Sequence, residues 1–146
     1  MKYRNMLIDD YDKVYALWLG TKGMGLNDVD DSREGIERYL RRNPSTCFVC
    51  EDNDEIVGVI LCGNDGRRGY IHHTAVKENR RRQGIGGELV RLAMEALGKE
   101  KISKCALVVF ERNDIGNGFW EAKGFKERDD LVYRNMALKE LKRIDT

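Results

Sequence analysis

A single proline, Pro44, and only two histidines, His72 and His73, stand in 146 residues, and aromatic residues make up 8%. One proline rules out a proline-rich linker or an extended recognition segment. No apolar run approaches the ~20 residues that span a bilayer, so no membrane role is expected. Net charge is also nearly missing: 26 basic residues face 25 acidic ones, for a formal +1. That balance argues against a nucleic-acid binder and against a polybasic membrane-surface protein, despite Arg67, Arg68 and the run Arg80–Arg82. Repeats, low-complexity tracts and linkers are lacking too. The first residues, Met1 to Asp12, are polar and acidic and do not read as a secretory signal.

Cysteine is scarce enough to exclude a disulfide scaffold: Cys47, Cys50, Cys62 and Cys105. Cys47 and Cys50 form a C-x-x-C, but Thr46 to Glu51 reads as a strand. Residues three apart on a strand point to opposite faces, so the two sulfurs diverge. No second pair follows to complete four zinc ligands, and no metal is expected. The four thiols read as small reduced hydrophobes, as in a cytoplasmic protein.

What is present is an ordinary globular balance, 41% hydrophobic and 35% charged, in a length that suits one domain over residues 1–146. Lys2 to Ile8 suggests a first strand. Asp9 or Asp10 is placed to cap a helix carrying Val14, Leu17 and Trp18. After a loop from Gly20 to Asp31, Asp31 or Ser32 caps a second helix with Ile36, Tyr39 and Leu40 inward. Strands follow at Thr46–Glu51, Glu55–Cys62 and Tyr70–Val76, as a meander. A helix then carries Ile85, Leu89, Leu92, Ala93, Ala96 and Leu97 and ends near Gly98. Cys105–Phe110 is a continuous apolar run, typical of a strand covered on both faces. Asp114–Lys123 is a short helix, and Phe125–Glu127 with Val132–Leu138 reads as a terminal strand pair. The order implies an α/β (α+β) mixed sheet, mostly antiparallel, with helices on both faces. Tyr70–Val76, the long helix and Cys105–Phe110 form one right-handed crossover between parallel strands.

The sharpest local feature is Arg81-Arg82-Gln83-Gly84-Ile85-Gly86-Gly87, between that strand and that helix. A helix start offers unpaired N–H groups and a positive dipole end. Glycines there let an anion approach the backbone closely, which makes a pyrophosphate cradle. A Walker loop would need Lys-Ser/Thr where Glu88-Leu89 stands, and the dinucleotide pattern G-x-G-x-x-G is absent.

Arg81-x-x-Gly84-x-Gly86 after a strand, then Asn113, Phe119-Trp120 and Gly124-Phe125 around the later short helix, resemble the two signatures of the GNAT superfamily of N-acetyltransferases. The motif likeness spans Tyr70 to Phe125 and the element order residues 3 to 138. The resemblance implies an acyl-CoA N-acyltransferase fold, its sheet splayed between two central parallel strands. It implies acetyl-CoA as cosubstrate, its pantetheine arm pairing with Ala75 and Val76 in the splay. Its pyrophosphate would rest on amides of Arg82, Gln83, Gly84, Gly86 and Gly87, with Asn113 on the arm and Phe119 and Trp120 beside it. The acceptor would be a primary amine of a small molecule or a peptide, attacking directly, with no nucleophilic cysteine.

An amine of this kind is mostly protonated at neutral pH, so a base is needed. His72 lies where serotonin-acetylating members carry a histidine, and its ordinary pKa suits the role. Period-2 alternation places Tyr70, His72, Thr74 and Val76 on one face and Ile71, His73 and Ala75 on the other. Trp120 stands where most members have the tyrosine that protonates the leaving thiolate. An indole N–H can only pack or hydrogen-bond there. That departure keeps a second reading open, a CoA-binding regulatory module with weak or no catalysis. Asp28, Asp30, Asp31, Asp129 and Asp130 sit where the acceptor enters and suggest a cationic amine. The family includes dimers, so a homodimer is allowed.

Overall fold

The computed structural model describes residues 1–146. β1 (Lys2–Asn5), β3 (Phe48–Asp52), β4 (Glu55–Asn64), β5 (Gly69–Val76) and β6 (Cys105–Ala106) form one sheet in the order β1-β3-β4-β5-β6. All neighbours are antiparallel except β5 and β6. A two-stranded ribbon joins β2 (Leu26–Asn27) to β7 (Arg143–Ile144). The helices are α1 (Tyr11–Leu19), α2 (Arg33–Arg42), α3 (Ile85–Lys99) and α4 (Asp114–Ala122).

The sheet is covered on both faces, which explains why β4 is buried continuously from Ile56 to Gly63 rather than alternating. One core gathers Val14 and Trp18 of α1 and Ile36 and Leu40 of α2 on Val49, Val59 and Leu61. The other gathers Ile85, Leu89, Ala93 and Leu97 of α3 on Cys50, Val57, Ile60, Cys62 and Ile71. Cys47 belongs to the first core and Cys50 to the second, so the C-x-x-C sulfurs do lie on opposite faces. Burial pushes the Cys47 thiol up to about 12, a poor nucleophile at neutral pH.

Ser32 caps α2, its Oγ accepting from the Gly35 amide at 3.0 Å. Asp10, expected as a cap of α1, has a different task. Both its carboxylate oxygens accept from Arg4 at 2.8 Å, and the Leu7 amide donates to it at 2.8 Å. Arg4 also reaches Glu51 at 3.4 Å, tying β1, β3 and the start of α1 together.

Two expectations fail at the C-terminal side. Cys105–Phe110 is not a strand covered on both faces: only Cys105 and Ala106 pair, and Val108 is 58% exposed. The terminal pair Phe125–Glu127 with Val132–Leu138 does not form. None of the 73 backbone–backbone hydrogen bonds involves residues 126–141. An apolar run and an alternating one specify strand-forming side chains, but a strand exists only where a neighbour takes its backbone groups. The mixed, mostly antiparallel class holds, with the parallel pair ending the sheet.

Candidate active site

The site begins where β5 and β6 part. They pair only at Gly69 with Cys105 and Tyr70 with Ala106, leaving Ile71 to Val76 without a neighbour on that side. The Lys77 amide donates to Val57 at 2.9 Å, so the alternation of an antiparallel ladder turns the N–H and C=O of Val76 away from β4 and into the opening. Ala75 packs into the α1/α2 core and Val76 against the α3 core, so the strand end is held from both faces.

At the mouth of this opening the chain turns into α3. Arg82 and Gly84 both take positive φ, 63° and 80°. A side chain is strained in that region, and Gly84 occupies it without penalty. The turn and the first helical residues leave the amides of Arg82, Gln83, Gly84, Ile85, Gly86 and Gly87 with no acceptor in the chain; the first ladder bond is Glu88 to Gly84 at 3.0 Å. Six consecutive free N–H groups at a helix start are a cradle for an anion. A Cβ on Gly86 would lie 3.0 and 3.1 Å from the Phe119 ring, so α4 sits directly against the start of α3.

The three arginines divide their tasks. Arg80 is held by Asp52 at 2.8 Å. Arg81 donates through Nε to the Val76 carbonyl at 3.2 Å, fastening the turn to the strand end. Arg82 is exposed and makes no hydrogen bond in the chain. A further cation escapes the motif reading: a Cβ on Gly87 would lie 2.9 Å from Lys123 Nζ, which also stands 5.7 Å from the Phe119 ring centre. Its placement at the end of α4, one turn after Phe119, was the available signal.

Asn113 caps α4, its Oδ1 accepting from the Gly116 amide at 2.9 Å, which leaves Nδ2 free beside Gly23. Phe119, Trp120 and Phe125 form an edge-to-face aromatic chain, with centroids 4.9 and 5.2 Å apart, packed on the α3 core. Trp120 is thus half-buried in a structural cluster.

Across the opening lie the histidines, and here alternation is overturned. Val59 pairs with Ala75 and Leu61 with His72, so β5 uses three steps where β4 uses two. This bulge at His73–Thr74 turns both imidazoles toward α1 and α2. His72 stacks 4.7 Å from Tyr70 and 5.7 Å from Tyr39. His73 lies 5.1 Å from Trp18, and the two imidazoles are 6.2 Å apart. Val76, expected on the His72 face, instead packs toward α3.

The two histidines differ in setting. His73 Nε2 is 2.7 Å from Asp31 Oδ1, with side chains only 14% and 4% exposed. Asp31 also accepts the Asn27 amide at 2.8 Å. His72 keeps an edge open to solvent. Its enclosure by protein lowers its pKa below the ordinary value, His73 lowers it further, and Asp31 and Asp30 oppose the shift. Beside them, Trp18 is fully buried and its Nε1 has no partner.

The acidic residues near the acceptor side are largely engaged. Asp28 accepts the Lys142 amide at 2.7 Å and Asp30 accepts Asn27 Nδ2 at 3.0 Å. Asp130 binds Arg128 twice at 2.8 Å.

This combination of splayed parallel strands and an amide-lined helix start belongs to a known class. The model of the acetyltransferase (GNAT) family matches residues 11–125. An acetyltransferase of Pectobacterium atrosepticum is 32% identical over 132 residues, covering 90% of this chain and 92% of that protein. The chain is a member of the GNAT acetyltransferase family. The fold is shared with PaiA N-acetyltransferase from Thermoplasma acidophilum, solved in complex with coenzyme A. That match has a TM-score of 0.75 at 19% identity, covering 88% of this chain and 91% of that one. A Clostridium acetobutylicum protein solved with acetyl-CoA matches at TM-score 0.67 and 18% identity, covering 92% of this chain and 95% of that one. No helix is long and apolar enough to cross a membrane.

Proposed function

We propose that this chain is an N-acetyltransferase that moves the acetyl group of acetyl-CoA to a primary amine of a small molecule or peptide by direct attack. The observation that carries the reading is the row of six unpartnered amides, Arg82 to Gly87, opening beside the unpaired edge of β5. Amides in a row suit a pyrophosphate, and the free N–H of Val76, beside a carbonyl that Arg81 holds at 3.2 Å, suits an amide-bearing arm laid along the strand. Asn113 Nδ2, with no acceptor of its own in the chain, is the donor available on the α4 side. Lys123 adds positive charge at the cradle. Acetyl-CoA supplies the activated acyl group. The protein's share is to hold it, to offer the Val76 amide to the carbonyl oxygen, and to strip a proton from the amine.

His72 is the group proposed for that last task, directly or through water. Its ring reaches solvent at the opening, and its lowered pKa leaves it neutral at pH 7, able to accept a proton. A second reading has an observation of its own. His73 carries the carboxylate partner that orients a base, Asp31 at 2.7 Å, although it is largely buried against Trp18. Turnover of His72→Ala and His73→Ala side by side, with CoA binding measured on each, separates them. His72 as base requires the larger loss of kcat in His72→Ala.

Trp120 is proposed to wall the thioester end and not to deliver a proton, since an indole N–H is too weak an acid. The thiolate then leaves with water or unassisted. If no amine is acetylated while CoA binds, the family fold is serving as a CoA-binding regulatory module.

A further inference from the structure

Residues Gly20 to Asp31, the acceptor-side loop, have little regular structure to hold them. Gly20, Gly23 and Gly25 fall within its first half, and Gly23 and Gly25 take φ of 78° and 69°. Only Leu26 and Asn27 are extended, paired with β7. The loop nevertheless borders the opening: Gly25 lies against the Phe110 ring and Gly23 beside Asn113 Nδ2. A glycine-rich segment keeps one shape only where other groups fix it.

Asp31 is where this one is fixed. One carboxylate oxygen accepts the Asn27 amide at 2.8 Å, the other faces His73 Nε2 at 2.7 Å, and the Asp31 carbonyl accepts from Tyr11 Oη at 2.6 Å. Asn27 Oδ1 in turn accepts the amides of Val29 and Asp30 at 3.0 and 2.7 Å. The carbonyls of those two residues lie against Gly35 and leave no room for a Cβ there, so the loop end and the start of α2 form one body. The remaining hydrogen bonds of the loop stay within it or go to α1, to the start of α2 or to residues 142–146. His73 to Asp31 is its one hydrogen bond to the five-stranded sheet. Both side chains are buried, so water cannot stand in for a lost partner. The bulge at His73–Thr74 makes this bond possible: under strict alternation His73 would point away from α1 and α2 whenever His72 faces the opening.

We propose that His73 is a positioning residue: through Asp31 it sets the acceptor-side loop against the splayed end of β5, and so fixes the amine in front of His72. The inference rests on the acetyl-transfer reading with His72 as base, and gives the second imidazole a task that requires no proton transfer. Asp30 and Asp31 are close enough to act on the charge of His72, so a shift of the loop is felt at the base itself.

The test compares the full chain with His73→Gln, His73→Leu and Asp31→Ala. Glutamine keeps an N–H donor for Asp31 and cannot act as a base; leucine fills space and offers no donor. With CoA present, amide exchange at Asn27 to Asp30 should be at least about tenfold faster in His73→Leu and Asp31→Ala, and close to wild type in His73→Gln. Exchange in α3 and β4, and CoA affinity by calorimetry, should be the same in all. In thiol release with tyramine and spermidine as probes, KM should be roughly tenfold higher in His73→Leu than in His73→Gln, with the two kcat values within roughly threefold. Unchanged loop exchange in His73→Leu overturns the proposal. So does a rise spread evenly over the whole chain, which would make the pair a packing element only. A kcat lost equally in His73→Gln and His73→Leu while the glutamine variant keeps its loop protected would make His73 the base, and overturns it too. Turnover on neither probe counts against the acetyl-transfer reading alone, and the exchange comparison then decides the positioning role by itself.

Discussion

Two glycine-to-alanine changes in one stretch of chain should act in opposite directions. Gly84 sits at φ +80° with open space where a Cβ would go, so Gly84→Ala costs only backbone strain. A left-handed alanine is worse than glycine by about 1–2 kcal/mol. That cost must appear either as lost stability, if the turn is kept, or as lost CoA affinity, if the turn relaxes and the amides from Arg82 to Gly87 swing out of line. The two losses together should come to about 1–2 kcal/mol, which as affinity alone is roughly 5- to 30-fold. Gly98 lies inside α3 with right-handed backbone and nothing near its Cβ position. Gly98→Ala should therefore stabilise by about 0.5–1 kcal/mol, through a less flexible unfolded chain, and leave CoA binding alone. Melting curves with and without CoA, with calorimetric titration, read both. Gly84→Ala leaving melting point and affinity unchanged would refute the turn's role. Gly98→Ala weakening CoA binding would refute the separation of helix body from cradle.

Other outcomes follow from the same geometry. Since the His72 pKa is lowered, kcat/KM should fall with acid along a limb centred below 6.5, and His73→Ala, removing a neighbour that lowers it further, should move that limb upward; a pH–rate profile checks both. Burial works to raise the Asp10 carboxyl pKa, but the Arg4 guanidinium and the Leu7 amide outweigh it and the net shift is down. Its stabilising effect is thus full above the ordinary carboxylate range and disappears as pH falls through the lowered value. Arg4→Ala should cost about 1–3 kcal/mol at pH 7 and raise the acid-unfolding midpoint, seen by circular dichroism. Trp120→Phe should keep turnover within a few-fold, because no proton is expected from the indole, whereas Trp120→Ala should cost about 2–3 kcal/mol of stability by opening the cluster with Phe119 and Phe125.

Much of this was legible from residues. Helical spacing placed α3, and the glycines from 84 to 87 marked the turn whose amides the fold leaves without acceptors. The short helix expected over Asp114–Lys123 forms as α4 over Asp114–Ala122, just ahead of Gly124, while the capping by Asn113 was not foreseen. The face assignment of the histidines was not legible, because a bulge adds a residue that no pattern in Tyr70–Val76 marks. The engagement of the acidic residues near the acceptor side was not legible either. Charge counts cannot say that Asp28 will accept a backbone amide from Lys142, 114 positions away. The C-terminal strands were read correctly as strand-forming sequence and wrongly as formed strands. Side chains declare a preference for a sheet, but pairing depends on what neighbour is there.

The proposed reaction is acetyl transfer from a CoA thioester held at the amide cradle to an amine deprotonated by His72. Thiol release from acetyl-CoA, with a panel of small-molecule and peptide amines, tests it most directly when His72→Ala is run beside the wild type. The expected result is turnover with at least one primary amine and, in the variant, a large loss of kcat with CoA affinity unchanged. Tight CoA binding with no turnover on any amine, or full turnover in His72→Ala, would contradict it.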